Sequence, residues 1–203
     1  MDRRDMLRAT FAAAASGSLG FEVLQAQQSG TPGGLPALPA PAKAVDPEPH
    51  VNDIEKYPAC HYCNMDRKRF HHSRMLIHYS DDTVDPLCSL RCAASSLTVN
   101  LRRGVKFIWV GDNAAPAEIK PLADAEKAAY LVGSSIRGVM TKRSKVAYSA
   151  VAAADASKAA HGGDVVDFNA AVLAAYTDIA EMVSTNLKNR TERLNRAPKE
   201  PHQ

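Results

Sequence analysis

The order of predicted secondary-structure elements occurs twice along this chain, and that repetition constrains the fold more than any single motif. The first half predicts a strand, turn, strand, helix and strand at residues 74–79, 80–82, 83–87, 89–102 and 106–110. The second half predicts a strand, long loop, strand, short helix and strand at residues 128–132, 133–142, 145–151, 155–161 and 164–168. Both halves therefore have the order ββαβ.

A longer amphipathic helix is predicted after the second half, over residues 169–195. Its apolar residues recur at spacings of three and four: Val172, Tyr176, Ile179, Val183 and Leu187. Such a face favours packing across both halves. The predicted fold class is therefore α+β, with two packed ββαβ subdomains at about residues 52–115 and 120–170 and a C-terminal amphipathic helix.

The N-terminal segment has the three-part pattern of an export signal. Arg3 and Arg4 precede two apolar residues and Arg8, and an uncharged, alanine-rich run follows to residue 21. This pattern is typical of a twin-arginine signal, which exports folded cargo. The run is shorter than the roughly 20 apolar residues of a membrane-spanning helix. We therefore expect a signal peptide at residues 1–26, a periplasmic location and no transmembrane segment in the mature chain.

Both ends of the remaining chain predict disorder. Six prolines occur between residues 25 and 49, and with so little apolar mass residues 27–51 are predicted to form a linker. The charged residues 196–203 are predicted to be a disordered tail. Residues 52–195 are left as the folded domain.

Charge and motif content exclude several functions. Lys and Arg total 25 against 22 for Asp and Glu, giving a net charge of +3. The excess lies in the tail, so no basic face for nucleic acid is predicted. No catalytic triad, phosphate loop or carboxylate pair stands out either. We expect a binding protein rather than an enzyme.

The four cysteines form two pairs with chelating spacings. In Cys60-x-x-Cys63, a tight turn directs two sulfurs to one point. Cys88 and Cys92 lie at the start of the first predicted helix and one turn along it, so they share a face. A helix N-terminus also lowers thiol pKa, and the thiolate is the form that binds metal.

Three interpretations fit this pattern. All four cysteines have spacings compatible with structural zinc in a treble-clef-like interaction module. An exported protein with an even cysteine count also suggests disulfides, or a thiol-disulfide oxidoreductase that uses one pair. The third interpretation is a transferable Cu(I) site, which Met65 favours because a thioether binds Cu(I) better than zinc. Met65 is also a suitable core side chain.

Residues 57–170 resemble the NosL family, copper chaperones that are accessory proteins of nitrous oxide reductase. The resemblance rests on Cys60-x-x-Cys63-x-Met65 and on three later segments: Tyr130-Leu-Val-Gly-Ser-Ser-Ile-Arg-Gly-Val-Met140, Ala147-Tyr148 and His161-Gly-Gly163. It implies two ββαβ halves, and it implies that Met140 completes the site begun by Cys60, Cys63 and Met65. Cys88 and Cys92 are similar to the helix-start cysteines of TRASH-type metal modules.

These observations predict an extracytoplasmic Cu(I) chaperone with metal ligands among Cys60, Cys63, Met65, Met140, Cys88 and Cys92. The expected partner is a copper-recipient metalloenzyme, such as nitrous oxide reductase, or its assembly complex. Zinc remains an alternative metal at the cysteines.

Overall fold

A computed structural model describes residues 44–196 of the chain. The predicted signal peptide, the predicted linker up to residue 43 and residues 197–203 of the predicted tail lie outside this range. In chain order the elements are β1 (Ala44–Val45), α1 (Asp53–Lys56), β2 (Met75–Tyr79), β3 (Thr83–Leu87), α2 (Leu90–Val99), β4 (Val105–Gly111), β5 (Leu122–Asp124), β6 (Ala129–Val132), β7 (Lys145–Tyr148), α3 (Val151–His161), β8 (Asp164–Val166) and α4 (Phe168–Arg196).

The first half builds a five-stranded antiparallel sheet in the order β1-β3-β2-β4-β5. Every residue of the central strand β2 is buried, which explains its continuous run Met-Leu-Ile-His-Tyr in place of an alternating pattern. Ile77 of β2 lies opposite Asp85 of β3 and Ile108 of β4. The turn between β2 and β3 places Asp82 in the left-handed region, with φ of 57°. Asp tolerates this conformation better than most residues.

The second half builds a three-stranded antiparallel sheet in the order β7-β6-β8, with α3 packed against it. Tyr130 of β6 lies opposite Ala147 of β7 and Val166 of β8. Each half therefore contains the predicted ββαβ order. The α+β fold class with two such halves and a C-terminal helix is confirmed.

The C-terminal helix α4 packs against α2 of the first half and β6 of the second. Ala171 and Ala175 are fully buried at this contact, and their small side chains permit close approach. The Tyr176 hydroxyl donates a hydrogen bond to the Ala94 carbonyl at 3.1 Å. The expected packing across both halves is therefore observed, although residues 183–196 are all exposed.

Three predicted boundaries were wrong by three or four residues. The helix α2 ends at Val99 instead of residue 102, because the chain turns there and the Arg103 amide donates to the Asn100 carbonyl. The strand β7 ends at Tyr148, because Ser149 donates its amide and its hydroxyl to the Asp112 carboxylate. The helix α3 then starts at Val151, four residues before the predicted start, in an alanine-rich segment that favours helix.

The short elements β1, α1 and β5 were not predicted. The strand β1, inside the segment predicted as a linker, pairs with β3 through Ala44 and Val45. Within residues 44–196, no helix combines the length and the apolarity needed to cross a membrane.

Candidate metal centre

Residues 59–66, here called the knuckle, form a closed turn that carries Cys60 and Cys63. The Cys60 amide donates to the Met65 carbonyl and the Asn64 amide donates to the Cys60 carbonyl, both at 2.9 Å. Asn64 lies in the left-handed region with φ of 58°, a conformation that asparagine adopts more readily than most residues. The knuckle thus fixes its two cysteines within one short, hydrogen-bonded turn.

The second cysteine pair lies where the chain passes from β3 into α2. Cys88 follows the last residue of β3, and Cys92 lies in the first turn of α2. The Ser73 hydroxyl donates to the Cys88 carbonyl at 2.8 Å, which holds the backbone at this junction. The predicted placement at a helix start is therefore observed.

Backbone contacts join the knuckle to the end of β3. The His61 amide donates to the Pro86 carbonyl at 2.8 Å, and the Arg67 Nε donates to the Leu87 carbonyl at 3.2 Å. These bonds lie just before Cys88 in the chain. They bring the two cysteine pairs together across more than twenty intervening residues.

Arg67 is fully buried, and its ion pair and hydrogen bonds hold several segments of this region together. Its guanidinium pairs with the Asp53 carboxylate at 2.8 Å and donates to four carbonyls, those of Leu87, Asp53, Tyr57 and Met75. Arg74 pairs with the same carboxylate at 2.9 Å. Sequence reasoning missed Arg67 because it lies in the charged segment 66–69, which resembles a solvated surface.

The four cysteine sulfurs converge on one point. The Sγ–Sγ distances are 3.4 Å for Cys63 and Cys88, 3.8 Å for Cys88 and Cys92, and 3.8 Å for Cys92 and Cys63. All four sulfurs, including that of Cys60, lie within 4.8 Å of one another. A metal at about 2.3 Å from four sulfurs would place them about 3.8 Å apart in a tetrahedron. The thiol cluster therefore has the dimensions of a metal site.

None of these separations approaches the bond length of a disulfide, about 2.05 Å, and all four cysteines are free thiols. Cys60, Cys88 and Cys92 are buried, whereas Cys63 is half-buried. Cys63 is thus the sulfur through which the cluster meets solvent.

The pKa values of the cysteine thiols are shifted in opposite directions. Hydrogen bonds from Cys88 and Cys92 hold the pKa of the Cys60 thiol well below its usual range. Hydrogen bonding to Cys60, together with burial, raises the pKa of Cys92 to about 12 and also raises the pKa of Cys88. One thiolate therefore forms readily, while two buried neighbours keep their protons. A bound cation would replace those protons as the stabilising charge.

The two predicted methionine ligands lie in different surroundings. Met65 is half-buried, packs against the core that contains the cysteines, and lines a cavity of about 460 Å³ with His72 and Val139. Met140 is in the loop between β6 and β7, is 38% exposed, and lines another cavity of about 410 Å³. The structure thus brings the four cysteines together, with Met65 packed against the same core, while Met140 lines a different cavity.

Comparison with protein families gives a match to the NosL family over residues 50–189. Among solved structures, the chain is similar to the crystal structure of the copper chaperone NosL from Shewanella denitrificans. That match has 25% identity and a TM-score of 0.49 and covers 65% of this chain and 96% of the other. The solution structure of apo-NosL from Achromobacter cycloclastes matches with 25% identity and a TM-score of 0.34, covering 47% of this chain and 82% of the other.

A comparison with curated protein sequences finds no match. The family match spans most of the chain and includes both cysteine pairs, both ββαβ halves and most of α4. The chain belongs to the NosL family.

Proposed function

We propose that this protein is an extracytoplasmic Cu(I) chaperone that delivers copper to a periplasmic metalloenzyme such as nitrous oxide reductase. The observation that carries the proposal is the thiol cluster, in which four sulfurs lie within 4.8 Å of one another. A solved member of the same family is described as a copper chaperone. The family consists of carriers and accessory proteins rather than enzymes, and copper is the cargo.

The ligand chemistry supports Cu(I). Thiolates and thioethers are soft ligands, and Cu(I) is the softest of the common biological cations. Cys60 supplies the most readily formed thiolate. The Cys60 amide donates to the Met65 carbonyl, and the Met65 side chain packs against the core that contains the thiols. We assign Cys60, Cys63 and Met65 to the copper site, with Cys88 and Cys92 adding sulfurs and Met140 supplying a thioether from the second half.

The partial exposure of the cluster supports transfer. A structural metal site is closed to ligand exchange, whereas a carrier must let an acceptor reach the metal. Cys63 is the half-buried member of an otherwise buried cluster. An acceptor sulfur would therefore approach copper on the side of Cys63 while the buried thiols hold the ion from behind.

Zinc is the second candidate, and the sulfur spacing is compatible with it. Distances of 3.4 to 3.8 Å suit tetrahedral zinc bound by four thiolates as well as they suit Cu(I). Zinc at this position would make the protein a metal-stabilised interaction module. The two metals make different demands on Met65, because zinc does not need a thioether.

Metal analysis of the full chain purified from the periplasm tests the proposal. We expect copper to bind under reducing conditions with an affinity that withstands a competing Cu(I) chelator. Cys60→Ser with Cys63→Ser should abolish that affinity, and Met65→Leu should weaken it. Tightly held zinc that Cu(I) does not displace, with no effect of Met65→Leu, would contradict the chaperone function.

The part played by the helix-start pair, Cys88 and Cys92, is tested by a separate variant. Cys88→Ser with Cys92→Ser removes the helix-start thiols and leaves the knuckle intact. If the helix-start pair binds copper, the stoichiometry or affinity falls while the fold persists. If it closes a zinc site, the fold itself is destabilised.

Delivery is tested by transfer. Copper-loaded protein mixed with copper-free nitrous oxide reductase or its assembly complex should lose copper to that partner. Retention of all copper by the chaperone, with the partner shown to accept free Cu(I), would exclude this recipient.

A further inference from the structure

Two cysteines of the thiol cluster combine access from solvent with a short sulfur–sulfur separation. Cys63 is half-buried, whereas the other three thiols of the cluster are buried. The Cys63 and Cys88 sulfurs are 3.4 Å apart, and the Cys92 sulfur is 3.8 Å from each of them. A disulfide bond is about 2.05 Å long, so a shift of about 1.4 Å would join Cys63 to Cys88. The accessible thiol of the cluster therefore lies beside a partner with which it can be oxidised.

We propose that Cys63 is a site of reversible oxidation, at which a disulfide-bearing oxidant forms a Cys63–Cys88 disulfide and closes the cluster to copper. The copper part of this inference rests on the proposed function. Compartments outside the bacterial cytoplasm favour disulfides, so a chain that acts there meets such oxidants before it binds copper. Copper loading then requires a reductant as well as a source of the metal.

The reaction is a pair of thiol–disulfide exchanges. The Cys63 sulfur first attacks one sulfur of the oxidant, which forms a mixed disulfide and releases one thiol. The Cys88 sulfur then attacks the Cys63 sulfur, and the second thiol of the oxidant leaves. The two cysteine protons end on the two released thiols, so the cysteine pair loses two electrons and the oxidant gains them. A dithiol reductant reverses both steps.

The surroundings of the other two thiols favour Cys88 as the partner of Cys63. The Cys60 sulfur accepts hydrogen bonds from the backbone amides of Tyr62 and Cys63, which hold it inside the knuckle. The Cys92 sulfur is farther from Cys63 than the Cys88 sulfur is. Because Cys88 and Cys92 are both buried, an oxidant reaches Cys63 before it reaches either of them.

Oxidation of this pair should prevent tight copper binding. The thiolate is the form of cysteine that binds metal, so the disulfide removes two of the four sulfurs. One of the two belongs to Cys63, through which the cluster meets solvent. Bound Cu(I) has the opposite effect, because it occupies the sulfur that the oxidant must reach. Copper binding and oxidation are therefore mutually exclusive.

The first test needs no copper. The full chain, reduced and metal-free, is incubated with oxidised glutathione, its remaining thiols are alkylated, and it is digested with trypsin for mass spectrometry. Cleavage after Arg91 separates Cys88 from Cys92. Fragmentation of the knuckle peptide between its two cysteines distinguishes Cys60 from Cys63. We expect one disulfide, between Cys63 and Cys88, with the other two thiols alkylated.

Two variants at the helix start form a matched pair. Cys92→Ser retains both partners, so the Cys63–Cys88 disulfide should form as in the unmodified chain. Cys88→Ser removes the nearer partner and should slow the release of the second glutathione. Equal release rates in the two variants would show that Cys88 is not the partner. A disulfide confined to Cys88 and Cys92, or the absence of an internal disulfide in the unmodified chain, would overturn the proposal.

The second test connects oxidation with copper. The oxidised chain, freed of glutathione and kept without oxygen, is given Cu(I) in competition with a chelator. Its affinity should be lower than that of the reduced chain by about a hundredfold or more, because even the loss of an outer partner of a metal ligand costs about 10- to 100-fold. A phosphine reductant should restore the affinity, and prior loading with Cu(I) should protect Cys63 from glutathione. Equal affinity of the two forms, or oxidation that bound copper does not slow, would contradict mutual exclusion.

Failure of the proposed function has a different signature. If the reduced chain does not bind Cu(I), the chaperone function fails, and the map of disulfides still decides whether Cys63 is a site of oxidation. If the reduced chain binds Cu(I) but no Cys63–Cys88 disulfide forms, only the site of oxidation fails.

Discussion

Left-handed backbone conformations occur at two residues that bear on metal binding, Asn64 in the knuckle and Met140 in the long loop. Asn64 adopts this conformation at little cost, because its short polar side chain suits it. Met140 has no such compensation, and a non-glycine residue there costs roughly 1–2 kcal/mol. The position of the Met140 thioether is therefore maintained against a local energetic preference.

Replacing Met140 by glycine should separate stability from copper binding. Glycine relieves the left-handed strain but adds chain entropy to the unfolded state, so we expect the free energy of unfolding to rise by about 0.5 kcal/mol. Cu(I) affinity should fall because the thioether is gone. Urea unfolding and chelator competition measure the two effects. Met140→Leu is the control, because it removes the sulfur and retains the left-handed strain. A glycine variant that is less stable than the unmodified protein would show that the loop needs the side chain for packing.

Arg67 should be far more important for stability than its charged neighbours. Arg67→Met leaves the Asp53 carboxylate with one cationic partner fewer in a buried setting, which should lower the free energy of unfolding by about 3 kcal/mol. Lys68→Met, one residue further along at an exposed position, should change it by less than about 0.5 kcal/mol. Denaturant unfolding of both variants makes the comparison. Equal effects would mean that Arg67 contributes only as a surface charge.

Among the elements, α4 is held to the second half through one carboxylate, that of Asp178. Burial alone would raise the pKa of Asp178, but hydrogen bonds from Lys145, Thr141 and Arg143 outweigh it and hold the pKa below its ordinary value of 3.8. The ionised form is thus favoured in the folded state. Its contribution to stability is fully present above pH 3.8 and is lost as the pH falls through the lower pKa of the folded protein.

Asp178→Asn should therefore destabilise the protein in a pH-dependent way. At neutral pH we expect a loss of about 2 kcal/mol, typical of hydrogen bonds to a charged group. The difference from the unmodified chain should shrink as the pH is lowered below 3.8. Unfolding followed at several pH values tests this, with the exposed Asp155→Asn as control. A difference that does not vary with pH would rule out the ionised carboxylate as the source.

The elements with clear sequence patterns could be predicted, and the short ones could not. The continuous apolar runs of β2 and β4 and the spacing along α4 identify their elements because burial dictates those residues directly. The strands β1 and β5 have two and three residues, too few to show a period. The hydrogen bond from Ser149 to Asp112 that ends β7 joins residues far apart in the chain. No local sequence pattern can therefore predict it.

The same distinction applies to the candidate site. The spacing within Cys60-x-x-Cys63 and within Cys88-x3-Cys92 predicts two local chelating pairs. Their convergence depends on contacts between the knuckle and β3. The spacing of the cysteines in the sequence is compatible with several arrangements of the two pairs.

For the whole molecule, copper binding and folding should be coupled. The thiol cluster joins residues from the knuckle, the end of β3 and the start of α2, so it exists only when the first half is folded. A ligand that binds only the folded state stabilises it, by about 2.7 kcal/mol at a free concentration one hundred times the Kd. We expect the thermal midpoint to rise with buffered Cu(I) and to stay unchanged in the variant lacking Cys60 and Cys63. A midpoint insensitive to copper would contradict this coupling.

Export in the folded state is the corresponding expectation for the N-terminal segment. Arg3→Lys combined with Arg4→Lys should leave the protein in the cytoplasm, because the twin-arginine route recognises the paired arginines. Fractionation of cells that produce the variant and the unmodified chain measures this. Undiminished delivery to the periplasm would show that another route is used.

The exposed end of α4 is vulnerable to proteases. Residues 183–196 are all exposed, and a helix without tertiary contacts opens readily in water. Trypsin cleaves after lysine and arginine, and Lys188, Arg190 and Arg193 lie on this segment. Digestion should therefore shorten α4 from its C-terminal end and slow down near Asp178, where the helix is anchored. The trimmed protein would retain all four thiols of the cluster, because they lie in the first half.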